Sequence, residues 1–110
     1  MSLLVVIPAF NEEKSISNVI REIRVHIPKA SILVVDDGSH DATSELAKSE
    51  SVNVVSLPFN VGVGGALRVG FLYAYRNSFS QVLQIDADGQ HIASEAKLLL
   101  DSAQDCDIVI

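Results

Sequence analysis

The sequence predicts an α/β fold, an open and mostly parallel sheet with flanking helices. Three observations predict it. Short runs rich in β-branched residues recur along the chain, mostly without polar alternation, as strands buried on both faces do. Segments with apolar residues at helical spacing fall between those runs. The unusual polar residues gather just beyond the carboxyl ends of the runs, the edge at which open parallel sheets bind ligands.

The first run, Leu3-Leu4-Val5-Val6-Ile7, leads into Pro8-Ala9-Phe10-Asn11-Glu12. Ile16, Val19, Ile20, Ile23 and Ile27 then mark an amphipathic helix of about three turns, with Glu12 and Glu13 near its start and Pro28 just past its end. The second run, Ile32-Leu33-Val34-Val35, ends in Asp36-Asp37-Gly38-Ser39, after which Asp41 is the expected N-cap of a shorter helix through Lys48. Val52 to Leu57 forms the third run and is followed by Asn60 and the glycines Gly62, Gly64, Gly65 and Gly70. A helix from Gly64 to Asn77 carries Leu67, Phe71 and Ala74 on one side. Val82-Leu83-Gln84-Ile85 is the fourth run, a helix with Leu98 and Leu99 is expected from about Ser94, and Ile108-Val109-Ile110 reads as a fifth strand. Right-handed crossovers then make the sheet parallel.

At 110 residues and 48% hydrophobic content the chain is one globular domain with material for a packed core. No apolar stretch is long enough to cross a bilayer and no basic-plus-apolar leader opens the sequence, so the expected location is cytoplasmic. Cys106, the single cysteine, excludes an internal disulfide and a cysteine-based zinc cage. The net charge of -6 argues against nucleic acid as partner, which needs a basic face. An anionic ligand would need a cation as go-between.

Asp86-Ala87-Asp88-Gly89-Gln90-His91 supplies the means. Two carboxylates two residues apart reach one point where a strand ends and Gly89 relaxes the turn, and Gln90 adds a neutral oxygen. Hard oxygen ligands at an open turn suit Mg²⁺ or Mn²⁺, which complete their shells from water and substrate phosphates. Taken alone, an Asp-x-Asp is equally a solvated turn. His91 is a metal ligand, an orienting group or a surface residue.

The other strand ends offer Asn11 and Glu12, Asp36 and Asp37, and Asn60. A cleft-facing carboxylate from the adjacent pair can accept hydrogen bonds from a base N–H or a ribose hydroxyl. The same pair equally suits an Asx-type turn that caps the next helix, and Glu12 a dipole-favoured first-turn position. Asn60 and the glycines make a turn that lets the backbone come close. They are not a dinucleotide fingerprint, which belongs after the first strand. Arg68 is a phosphate contact or a solvated helix residue.

These four motifs, in this order, resemble the amino-terminal half of family 2 glycosyltransferases with the GT-A, Rossmann-like fold, most closely the polyprenyl-phosphate branch. The resemblance implies a nucleotide-sugar-binding half over residues 1–110, with Pro8, Ala9 and Glu12 lining the nucleotide pocket and Asp36, together with Asp37, at the base. Asn11, Asn60, Gly64, Arg68, Asp86 and Ala87 complete the nucleotide-binding set that it implies. Asp86, Asp88 and Gln90 match the metal ligands, with Mg²⁺ or Mn²⁺ as cofactor. The implied donor is a UDP-sugar or GDP-sugar and the implied acceptor a polyprenyl phosphate or glycan, at the cytoplasmic face of the membrane in the full-length protein. A polyprenyl phosphate has a second pKa of about 6, so its oxygen is already largely anionic and needs no strong base. Because relatives continue into acceptor-binding strands and a carboxylate base, nucleotide binding with little or no transfer is expected of this piece. Its unpaired sheet edge invites homo-oligomer formation.

Two rivals have different motif positions. A receiver-like signalling module also binds Mg²⁺ with strand-end acids, but by resemblance it places the acid pair after the first strand. An aspartate-nucleophile phosphatase needs Asp-x-Asp there, where this chain has Pro8-Ala9.

Overall fold

The computed structural model describes residues 2–88 and the backbone of residues 108 and 109. Strand and helix alternate as β1 (Leu3–Ala9), α1 (Ile16–His26), β2 (Ser31–Asp36), α2 (Thr43–Ser49), β3 (Asn53–Ser56), α3 (Val63–Arg76), β4 (Gln81–Gln84) and β5 (Ile108–Val109). The expected helix from Ser94, together with Gln90 and His91, lies outside the described residues.

All described strand pairs are parallel, in the order β3-β2-β1-β4-β5. The chain steps outward from β1 to β2 to β3, then returns through α3 to place β4 on the other side of β1. That reversal leaves a crevice at the carboxyl ends of β1 and β4, where a doubly wound sheet receives a ligand. The register sets Ala9 beside Asp36 and Val6 beside Gln84, so β1 projects beyond β4 into the ligand edge.

The sheet is apolar on both faces because each face is covered. Val5, Ile7 and Val34 pack with Ile16, Ile20 and Ile23 of α1 on one side. Leu4, Val6, Leu33 and Val35 pack with Ala66 and Ala74 of α3 on the other. Leu4, Val5, Val6 and Ile7 are all essentially inaccessible, which accounts for the lack of polar alternation in the first run. Full burial of each such side chain contributes roughly 1.5–3 kcal/mol. α3 lies unusually close to the sheet at Gly70, where a Cβ would stand 2.5 Å from Cγ1 of Val6.

The N-cap expectation for α2 needs correction. Ala42 holds the N-cap position and Asp41 precedes it. Asp41 is drawn back by Thr43, whose backbone N–H donates to Oδ1 at 3.0 Å and whose hydroxyl donates to the same oxygen. Among the described residues no helix is long and apolar enough to cross a membrane.

Candidate active site

Three loops meet at the carboxyl edge of the sheet, each laced to the next by side chains. The loop after β1 turns at Asn11, which holds a left-handed φ of 53°. Asn and Asp tolerate that conformation because their short polar side chains bond locally. Here Oδ1 of Asn11 accepts from the His40 N–H at 2.8 Å, and the Asn11 N–H donates to Oγ of Ser39 at 2.9 Å. One residue on, the Glu12 N–H donates to Oγ1 of Thr43 at 2.9 Å. Glu13 donates its N–H to Oδ2 of Asp41 and accepts from the Ala42 N–H, both at 3.2 Å.

Partial desolvation works to raise the Asp41 pKa, but hydrogen bonds from the Thr43 hydroxyl and from nearby backbone N–H groups outweigh it and hold the carboxyl below its ordinary range. Ser39, Asp41 and Thr43 thus splint the β1 and β2 loops together. None carries a catalytic signature, and their signal in the sequence is only that of small polar residues in a turn.

The two strand-end acids of β2 have separate tasks. Both are 4% exposed. Asp36 accepts the Ser39 N–H at 3.0 Å, closing the turn. Asp37 faces the loop after β3, where Oδ1 accepts the Val61 N–H at 2.7 Å and Oδ2 accepts the Gly62 N–H at 2.9 Å and Nδ2 of Asn60 at 3.1 Å. The Asp37 carboxylate thus holds the glycine loop, whichever further contact it makes in the cleft. That loop's amides are turned onto a protein carboxylate, which fixes the entry to α3.

Gly38 makes the approach possible. Its φ is +77°, and a Cβ there would stand 2.6 Å from the Phe59 carbonyl carbon. A side chain would have to displace backbone.

Pro8, Ala9, Phe10, Asp37, Asn60, Gly62 and Val63 line one cleft of about 160 Å³. Four of the sequence-derived candidates, Pro8, Ala9, Asp37 and Asn60, are thereby brought together. Gly64 and Arg68 are not among its walls, because both lie on the exposed side of α3. Among the described residues Arg68 has no ion-pair partner.

On the other side of β1, the loop after β4 carries Asp86, half-buried, buried Ala87, and exposed Asp88. Oδ1 of Asp86 accepts from Nε2 of Gln84 at 3.2 Å. The Ser15 hydroxyl, at the N-cap of α1, has two acceptors in reach, the Ala87 carbonyl and Oε2 of Glu12. Ser15 therefore ties the Asp86–Asp88 loop to the β1–α1 turn across the crevice. Sequence reading did not single it out.

A divalent ion implied for this site has two carboxylates to meet among the described residues, where no group of three His, Cys, Asp or Glu side chains gathers. Two carboxylates on an open, strand-end loop fit Mg²⁺ or Mn²⁺, which take the rest of the shell from water and phosphate.

Comparison with known proteins gives this arrangement its class. The sequence pattern described as Glycosyl transferase family 2 matches residues 4–110. The chain belongs to that family. It is 32% identical over its full length to the undecaprenyl-phosphate mannosyltransferase of Micrococcus luteus, of which the match covers 47%. It is 35% identical to the polyprenol monophosphomannose synthase of Mycolicibacterium smegmatis over 90% of this chain and 40% of that one. The chain thus spans less than half the length of these relatives. Among solved structures, glucosyl-3-phosphoglycerate synthase of Mycobacterium tuberculosis, in complex with Mn²⁺, uridine diphosphate and phosphoglyceric acid, superposes with a TM-score of 0.64 at 32% identity, over 78% of this chain and 32% of that chain. The receiver-like and phosphatase alternatives are set aside by the family match.

Proposed function

We propose that this chain binds the nucleoside diphosphate of a UDP-sugar or GDP-sugar together with Mg²⁺ or Mn²⁺, and that the complete enzyme passes the sugar to a polyprenyl phosphate. The observation that carries the proposal is convergence. Pro8, Ala9 and Asn60 share one cleft, and the Asp86–Asp88 loop is fastened to the same turn that leads out of β1. The names of the two mannosyl-transferring relatives support a lipid-phosphate acceptor, and the Mn²⁺ and uridine diphosphate of the mycobacterial synthase support the donor and ion.

In this proposal Pro8 and Ala9 supply an apolar wall to the base. Asp36 and Glu12 accept hydrogen bonds from base N–H or ribose hydroxyl groups. Asp37 and Asn60 act at one remove, by holding the loop that forms the far wall. Asp86 and Asp88 hold the ion, with Gln90 as a further oxygen donor. When bound, the ion offsets the repulsion between these carboxylates and the diphosphate and stabilises charge on the departing diphosphate.

A thermal-shift panel of UDP, GDP, ADP and CDP, each with and without Mn²⁺, tests the proposal. Stabilisation by UDP or GDP only with metal is expected, and Asp88→Asn removes the metal-dependent part. A metal-independent shift, or one unchanged in Asp88→Asn, defeats the assignment.

A further inference from the structure

All fourteen acidic residues of the chain lie outside residues 51–80, a stretch whose only charges are Arg68 and Arg76. The same stretch holds most of the large apolar side chains left in contact with water among the described residues. On α3, Gly64, Arg68, Phe71 and Tyr75 follow one another at helical spacing, with Leu72 and Arg76 beside them. Phe71 is 38% exposed, Leu72 50% and Tyr75 84%. The opposite side of the helix, Ala66, Gly70 and Ala74, is buried on the sheet. α3 therefore has two apolar sides, one against the core and one facing outward, with arginine in place of the usual mixed charges on the outer side. A contiguous apolar strip on the outer side of a helix already packed on its inner side marks an interaction surface.

We infer that the outer side of α3 docks on an anionic lipid bilayer surface. Charge selects this partner. The chain carries a net charge of -6, so a negative surface repels it as a whole, whereas the only charges on α3 are the cations Arg68 and Arg76. A second copy is disfavoured because the same patch on two molecules sets arginines against arginines. Phe71, Leu72 and Tyr75 suit the boundary between headgroups and acyl chains, while arginine stems lie along it and their guanidinium groups reach phosphate. At 14 residues the helix is about 21 Å long, so it lies on a bilayer rather than crossing it. The apolar strip continues past the start of α3 through Val63, Val61 and Phe59, 59%, 45% and 67% exposed. Val63 also borders the candidate cleft, so docking brings the cleft to the surface at which a lipid phosphate is presented.

Flotation of the full chain with phosphatidylcholine vesicles, with and without phosphatidylglycerol, tests the inference. Binding to the anionic vesicles, weakened by salt, is expected. Arg76→Gln lowers the partition coefficient about five-fold, a basic residue near such a surface contributing about 1 kcal/mol. Leu72→Ser combined with Tyr75→Ser lowers it more than about ten-fold. These exposed positions lie outside the candidate nucleotide site, so metal-dependent nucleotide binding is unchanged in the same variants. Absence of flotation, equal binding to uncharged vesicles, or binding indifferent to these substitutions overturns the inference. So does a concentration-dependent dimer that the same substitutions abolish, which assigns the face to a second copy. Loss of nucleotide binding with flotation intact bears on the donor proposal alone.

Discussion

The Ser15 hydroxyl donates to the Ala87 carbonyl, joining the first turn of α1 to the loop after β4 across 72 residues of sequence. Ala87 stands between Asp86 and Asp88, so this bond couples the loop that carries both carboxylates to the β1–α1 turn that carries Glu12.

Ser15→Ala is expected to weaken Mn²⁺-dependent uptake of UDP or GDP several-fold while lowering stability by only about 1 kcal/mol, the ordinary contribution of one hydrogen bond. Ser15→Thr keeps the hydroxyl and restores binding. Calorimetric titration checks both. Equal metal-dependent affinity in Ser15→Ala and the parent chain would show that the loop holds its place without the bond.

Asp37→Ala removes the acceptor of three part-buried donors, the Val61 and Gly62 N–H groups and the Asn60 amide. The expected loss is roughly 3 kcal/mol, since hydrogen bonds to charged groups exceed neutral ones and orphaned donors add their desolvation cost. Urea denaturation measures it. A loss below about 1 kcal/mol would mean that water replaces the carboxylate freely.

Gly70→Ala gains helix propensity but drives a methyl group against Val6. Overpacking costs about 1–3 kcal/mol, so a net destabilisation of about 1 kcal/mol is expected. Val6→Ala clears the space, so the double variant should be more stable than the sum of the two single effects predicts. Strict additivity in a double-mutant cycle would contradict the contact.

Asp41 ionises more readily in the folded chain than in the unfolded one. The unfolded state therefore binds more protons on acidification, and stability from this group is fully present above the ordinary carboxylate pKa of about 3.9 and is lost as pH falls through the lower folded value. The stability gap between the parent chain and Asp41→Asn should be widest near neutrality and shrink in acid. A gap constant down to acid pH would exclude ionisation as its source.

Much of the architecture was legible because strands covered on both sides are continuous apolar runs. Leu3 to Ile7 declared its burial on both faces, and Ile16, Val19, Ile20 and Ile23 declared the inward side of α1. The edge that carries the site followed from where polar residues interrupt those runs. What could not be read were the surroundings each polar group finds. Strand alternation already sends the adjacent Asp36 and Asp37 opposite ways, but which neighbour each meets, Ser39 for one and the glycine loop for the other, depends on the loops beyond the strand. Arg68 sits in a suggestive place in the sequence, yet helical phase sets it on the outer side of α3, which depends on how Gly70 seats the helix on Val6. Ser15 and Thr43 escaped notice because a hydroxyl that joins distant loops leaves no spacing pattern.

The return of β4 to β1 sets the order in which this chain can assemble. Ser80 and Gln81 donate backbone N–H groups to the Ser2 carbonyl, closing 78 residues or more between neighbours in the sheet. As synthesis proceeds from the first residue, β1 can pair with β2 long before β4 exists. Until the ribosome has released residue 84, one flank of the most apolar strand presents unpaired backbone, a template for association with other nascent chains. Pairing of that flank is therefore among the last steps by which the sheet is completed.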